Sequence, residues 1–90
     1  MDIEKIIKEY IISEIMHEKS MSSIRNDQPL LESGIIDSVG LLHLITFIEE
    51  RFNIQIPDEE VIPENFENLN KIASLIKKKQ QQIQSYDSLG

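Results

Sequence analysis

The chain has 90 residues, of which 40% are hydrophobic and 28% charged, with a formal net charge of −7. These values describe one small domain with a modest core and exclude a disordered chain. Lack of cysteine rules out disulfides, thiolate metal sites and a cysteine nucleophile, and no apolar run reaches the roughly 18 residues of a membrane span.

At the N-terminal end, Ile3, Ile6, Ile7, Tyr10, Ile11 and Ile15 recur at helical spacing with charges between them. The pattern predicts a helix from about Asp2 to Glu18, with Asp2 as an N-cap or first-turn acid. Met1-Asp2-Ile3-Glu4-Lys5 has no secretory pattern, so the expected compartment is the cytoplasm. From about Lys19 to Asp37 the period gives way to turn formers: Ser20, Ser22, Ser23, Asn26, Asp27, Pro29, Ser33 and Gly34. Leu30, Leu31, Ile35 and Ile36 lie within this connection and are expected to pin it to a core. Long connections in compact domains are commonly functional, which makes this one a candidate site.

A second helix is predicted from Ser38 to near Phe52, started by Asp37 and Ser38 and stopped at Asn53. Leu41, Leu44, Ile45, Ile48 and Phe52 have core spacing, and Val39, Leu42 and Thr46 form a separate row. A helix apolar nearly all round either lies within a core or opens one side to a binding face. In so small a domain the Val39–Leu42–Thr46 row is expected to face partners, the alternative being a covering helix. Ile54-Gln55-Ile56-Pro57 favours extended backbone. Asp58-Glu59-Glu60 forms an acidic turn, and Pro63-Glu64-Asn65-Phe66 suits a short helix.

The last helix is predicted from Leu69 to about Gln82, burying Leu69, Ile72, Ala73 and Ile76, with Lys77, Lys78 and Lys79 solvated near its end. Residues 83–90 would fray, leaving 1–82 as the domain. The expected fold is all-α, a small four-helix bundle with a long first loop and a short third helix.

Charge is unevenly spread, with −3 over residues 1–36, −7 over 37–70 and +3 over 71–90. An acidic middle repels nucleic acid and anionic membranes and steers basic protein partners toward itself. Candidate partner-binding residues are therefore Glu49, Glu50, Asp58, Glu59 and Glu60, beside Val39, Leu42 and Thr46.

Intrinsic catalysis is disfavoured. The only histidines are His17 and His43, both expected at exposed helix positions. Five helical residues turn the chain by about 500°, so His43 points about 140° away from Ser38 and no Ser–His–Asp triad can form. Asp58-Glu59-Glu60 lacks the alternating ligands and central glycine of a calcium loop. There is no glycine-rich phosphate loop, and no metal site is expected. Ser38 then has two readings: an ordinary N-cap, or a hydroxyl that carries a phosphate ester facing the positive end of a helix.

The run Pro29-Leu30-Leu31-Glu32-Ser33-Gly34-Ile35-Ile36-Asp37-Ser38-Val39 resembles the attachment region of acyl carrier proteins, with Asp37-Ser38-Val39 standing for the family's Asp-Ser-Leu. Ile48 to Glu60 is similar to the family's second-helix end and acidic turn, and Pro63-Glu64-Asn65-Phe66 to its third-helix region. The resemblance implies that a phosphopantetheinyl transferase modifies Ser38, flanked by Asp37, with the 4′-phosphopantetheine of coenzyme A. It implies a monomeric, non-catalytic carrier that holds an acyl or aminoacyl group as a thioester. An adenylating ligase, acyltransferase or synthase would load or receive that group. Fatty-acid carriers place acids early in the second helix, where this chain has Gly40 and His43, so the resemblance is to a specialised stand-alone carrier. The competing reading is an interaction module that keeps the carrier fold without the modification.

Overall fold

The computed structural model describes residues 2–16 and 24–89, with side chains described through residue 81. Among the described residues the fold is all-helical, without strands. Helix α1 spans Ile3–Tyr10 and opens at Asp2, whose carboxylate accepts the Lys5 N–H at 3.1 Å. It continues as a π-helical turn over Ile11–Ile15. Ile3, Ile7 and Ile11 are buried, with Ile6, Tyr10 and Ile15 packed at the edge of the core. The predicted end at Glu18 lies outside the described residues.

The connection from residue 24 to Asp37 is held by its backbone. The Leu30 N–H donates to the Glu67 carbonyl at 2.8 Å, and the Asn70 N–H donates to the Asn26 carbonyl at 3.1 Å. Ile24, Leu30 and Ile36 are buried and anchor it, while Leu31 and Ile35 are half-buried. Gly34 supplies the turn that a residue with Cβ would resist, at φ +81°.

Helix α2 spans Ser38–Phe52 and buries Gly40, Leu44, Ile45, Ile48 and Phe52. Leu41, expected in this stripe, is only half-buried, and Gly40 takes the buried position in the first turn. The helix ends at Asn53 in the left-handed conformation (φ 54°, ψ 50°), which asparagine tolerates better than most residues. Ile54 and Ile56 are buried and Gln55 is exposed, so the predicted alternation is realised in extended backbone.

Two 3₁₀ turns follow, Asp58–Glu60 and Pro63–Phe66. The second stands where a short third helix was expected, so the described residues contain three α-helices. Its Phe66 is 1% exposed and locks the turn onto the core. Helix α3 starts at Leu69, where the Asn68 carboxamide accepts the Lys71 N–H at 2.8 Å, and buries Leu69, Ile72, Ala73, Leu75 and Ile76. Rather than stopping near Gln82 it runs to Leu89. Gln80, Gln81 and Gln82 are good helix formers, and no proline or glycine intervenes before Gly90.

The lysine run is not uniformly solvated. Lys79 is half-buried and forms an ion pair with Glu60, tying the first 3₁₀ turn to α3.

Candidate functional site

The junction of the long connection with α2 concentrates the chemistry. Asp37 is the N-cap, with extended backbone and a carboxylate that accepts the Gly40 N–H at 2.7 Å. Its carbonyl accepts the Leu41 N–H at 2.8 Å. Capping is thus done by the aspartate, and Ser38 is not the N-cap. The serine occupies the first helical position, is exposed, and its hydroxyl enters no hydrogen bond with the described residues.

The first N–H groups of a helix lack intrahelical acceptors, and a cap satisfies only some of them. Here Gly40 and Leu41 are served by Asp37, whereas the N–H groups of Ser38 and Val39 have no acceptor among the described residues. Together with the helix dipole they favour an anion next to the Ser38 hydroxyl. The Asp37 carboxylate is turned onto the Gly40 N–H, which offsets part of its repulsion toward such an anion. This donor set fits the phosphate of a 4′-phosphopantetheine ester on the serine.

Gly40 has a steric role here. A Cβ at this position would lie 3.3 Å from Asp37 Oδ1 and from Ile36 Cγ2, and 3.4 Å from Ile15 Cγ2. The π-helical turn that follows α1 therefore packs directly against the first turn of α2, beneath the serine. Sequence reasoning saw in Gly40 only a missing acid. Its position two residues after Ser38 was the available signal.

The Val39–Leu42–Thr46 row is open. Val39 is 61% exposed and Leu42 62%, too much for a covered surface, and Thr46 is exposed with its hydroxyl donating to the Leu42 carbonyl. No other helix among the described residues covers this row. The five acids do not form one surface. Glu49 Oε2 accepts the Ile56 N–H at 2.9 Å, latching the segment after α2 back onto the helix. Glu60 is taken up by Lys79. Glu49 and Glu60 thus serve the fold, and the exposed acids are Glu50, Asp58 and Glu59.

His43 is exposed and joins neither Ser38 nor Asp37; its carbonyl accepts from the Tyr10 hydroxyl at 3.4 Å. His17 lies outside the described residues. No cluster of three potential metal ligands occurs among the described residues, and no helix there is long and apolar enough to cross a membrane. An aromatic pair that the sequence reading missed, Tyr10 and Phe47, stacks with centroids 4.1 Å apart and planes at 15°. The two residues are 37 positions apart, and only the packing of α1 on α2 brings them together.

The family model described as "Phosphopantetheine attachment site" matches residues 7–76. The D-alanyl carrier protein of Streptococcus suis (strain 98HAH33) is 39% identical over 70 residues, covering 76% of this chain and 87% of that protein. The D-alanyl carrier protein of Streptococcus sanguinis (strain SK36) is 35% identical over 63 residues, covering 68% and 80%. A chain in the crystal structure of an FAD-dependent dehydrogenase superposes with a TM-score of 0.70 at 33% identity, over 78% of this chain and 97% of its own.

Proposed function

The chain belongs to the phosphopantetheine attachment family, and from that premise we propose that Ser38 is the residue that bears the arm. It is a carrier protein whose cofactor is 4′-phosphopantetheine, in a specialised role distinct from fatty-acid synthesis. The bound group supplies a flexible tether ending in a thiol that holds cargo as a thioester. The protein's own residues present and orient it. Asp37 fixes the first turn of α2, Gly40 lets the Ile11–Ile15 turn pack against it, and the Ser38 and Val39 N–H groups would hold the ester phosphate. The observation that carries the assignment is the Ser38 hydroxyl, exposed and unbonded because Asp37 has taken over the capping.

Similarity to D-alanyl carrier proteins supports an aminoacyl cargo, with D-alanine the first candidate. Loading then requires an amino-acid-adenylating ligase, and the exposed Val39, Leu42 and Thr46 beside Ser38 are the docking residues we assign. The three α-helices with the Pro63–Phe66 turn act as an acyl-carrier-type four-helix unit, in which α3 continues past Gln82 to Leu89. A cytoplasmic monomer with no catalysis of its own completes the reading.

Incubation with coenzyme A and a broad-specificity phosphopantetheinyl transferase tests it. One phosphopantetheine mass should be added to the wild type and none to Ser38→Ala. Modification of the Ser38→Ala chain, or an unmodified but folded wild type, would refute the assignment. Adding D-alanine, ATP and a D-alanine-activating ligase to the modified protein should give a hydroxylamine-labile adduct.

A further inference from the structure

Three groups converge on Gly40 in the first turn of α2: Asp37 Oδ1, Ile36 Cγ2 and Ile15 Cγ2. The first caps the turn and the second ends the connection, so both belong to the segment that carries Ser38. Ile15 comes from another element, and its arrival there depends on an unusual turn. In an uninterrupted α-helix each step of four residues drifts by about 40°. Ile3, Ile7 and Ile11 are buried along such steps. A third α-helical step would carry Ile15 about 120° from Ile3, off their stripe. Instead the Met16 N–H donates to the Ile11 carbonyl at 2.8 Å, five residues back, and the turn holds an extra residue. More residues per turn means less rotation per residue, which offsets the drift and returns Ile15 toward α2.

We propose that Ile15 is a positioning residue for the modification of Ser38: its Cγ2 methyl braces the first turn of α2 at Gly40, so that the serine hydroxyl meets the transferase in one orientation. Glycine is the residue with the most backbone freedom and a poor helix former, so a first turn that contains it is weak without outside contacts. The cap on this turn is the Asp37 carboxylate on the Gly40 N–H, and that bond holds only while Gly40 stays in place. Ile15 and Ile36 occupy the space into which Gly40 would otherwise shift. The Ser38 and Val39 N–H groups lie in the same turn and depend on the same brace. Single π-helical turns recur at functional sites, and this one ends on the residue that reaches the site.

This inference rests on the attachment assignment and deepens it by naming a residue of another element on which the reaction depends. It is tested on the full chain by initial rates of phosphopantetheine uptake, with coenzyme A and a broad-specificity transferase. Each rate is taken per folded molecule, from urea unfolding of the same sample. Ile15→Ala should lower kcat about tenfold, the cost of a hydroxyl held slightly out of place. The KM for the carrier should change little, because the exposed Val39–Leu42 row is untouched. Ile15→Leu keeps the side-chain volume but moves the branch away from Cβ, so it should slow uptake in a chain that still folds. Ile15→Val keeps the methyl and should restore most of the rate. Ile6→Ala removes an isoleucine packed at the edge of the same core and should lower stability without lowering kcat. Amide exchange at Gly40 should accelerate in Ile15→Ala and not in Ile6→Ala. An unchanged kcat in Ile15→Ala and Ile15→Leu, equal slowing by Ile6→Ala, or no recovery in Ile15→Val would overturn the proposal. A wild type that takes up no arm would overturn the attachment assignment instead, and unchanged Gly40 exchange in Ile15→Ala would then remove the brace as well.

Discussion

The two ends of α2 carry similar residues and use them in opposite ways. At the N-terminal end the Asp37 carboxylate binds the Gly40 N–H within the same turn, and a hydroxyl beside it stays open to solvent. At the C-terminal end the Glu49 carboxylate reaches seven residues onward to the Ile56 N–H, and the neighbouring Phe52, Ile54 and Ile56 are sealed in the core. One carboxylate leaves a neighbouring hydroxyl open and the other closes a chain reversal. An acid near a helix end therefore says little about partner binding until its acceptor role is known.

Substitutions at the two ends should separate presentation from stability. Ser38→Ala should abolish phosphopantetheine uptake, read by intact mass. Its unfolding free energy should stay within about 0.5 kcal/mol of wild type, as for surface changes generally. Phe52→Ala, at the other end, should cost about 3–5 kcal/mol in urea unfolding, the range for buried aromatics. The fraction that stays folded should still take up the arm.

Glu49→Ala should cost about 1–3 kcal/mol by leaving the half-buried Ile56 N–H without its acceptor. Amide exchange should accelerate at Ile56 and stay unchanged at Gly40. Asp37→Ala should remove about 0.5–2 kcal/mol of capping, and its modification rate should fall although Ser38 is intact. If Asp37→Ala left that rate unchanged while Glu49→Ala lowered it, the division between the ends would be reversed.

The smallest effect concerns the side of α2. The Tyr10 phenol is raised above its ordinary value by burial first, then by the negative charges of Glu14 and Glu50, so it keeps its proton more tightly in the folded state. Its stabilising contribution is complete below the unfolded value of 10.0 and is lost as pH rises through the higher folded one. Tyr10→Phe should flatten this alkaline loss, measured as urea midpoints from about pH 9 to 11.

Much of the helical framework was legible because spacing and burial obey one period. Ile3, Ile7 and Ile11, then Leu44, Ile45, Ile48 and Phe52, then Leu69, Ile72, Ala73 and Ile76 are the expected core residues of three amphipathic segments. Local pattern placed Ser38 at a helix start, and only the resemblance of residues 29–39 to carrier proteins made it the attachment candidate. Glu49, Glu60 and Lys79 were not legible, because a charge that binds a distant backbone group or a distant counter-charge looks in sequence like any solvated charge. The end of α3 was missed for a different reason: a polar run of good helix formers carries no apolar period to mark where it stops.

By itself the sequence determined three helix-forming stripes, a separate apolar Val39–Leu42 row and a serine at a helix start, since these follow from local periodicity and local turn chemistry; that the row is uncovered came from the fold. Tertiary structure alone decided that Ile15 Cγ2 comes within 3.4 Å of where a Cβ on Gly40 would lie. It also decided that Tyr10 meets Phe47. These outcomes depend on how closely α1 approaches α2, and pair contacts across such a distance in the chain leave no local pattern to read.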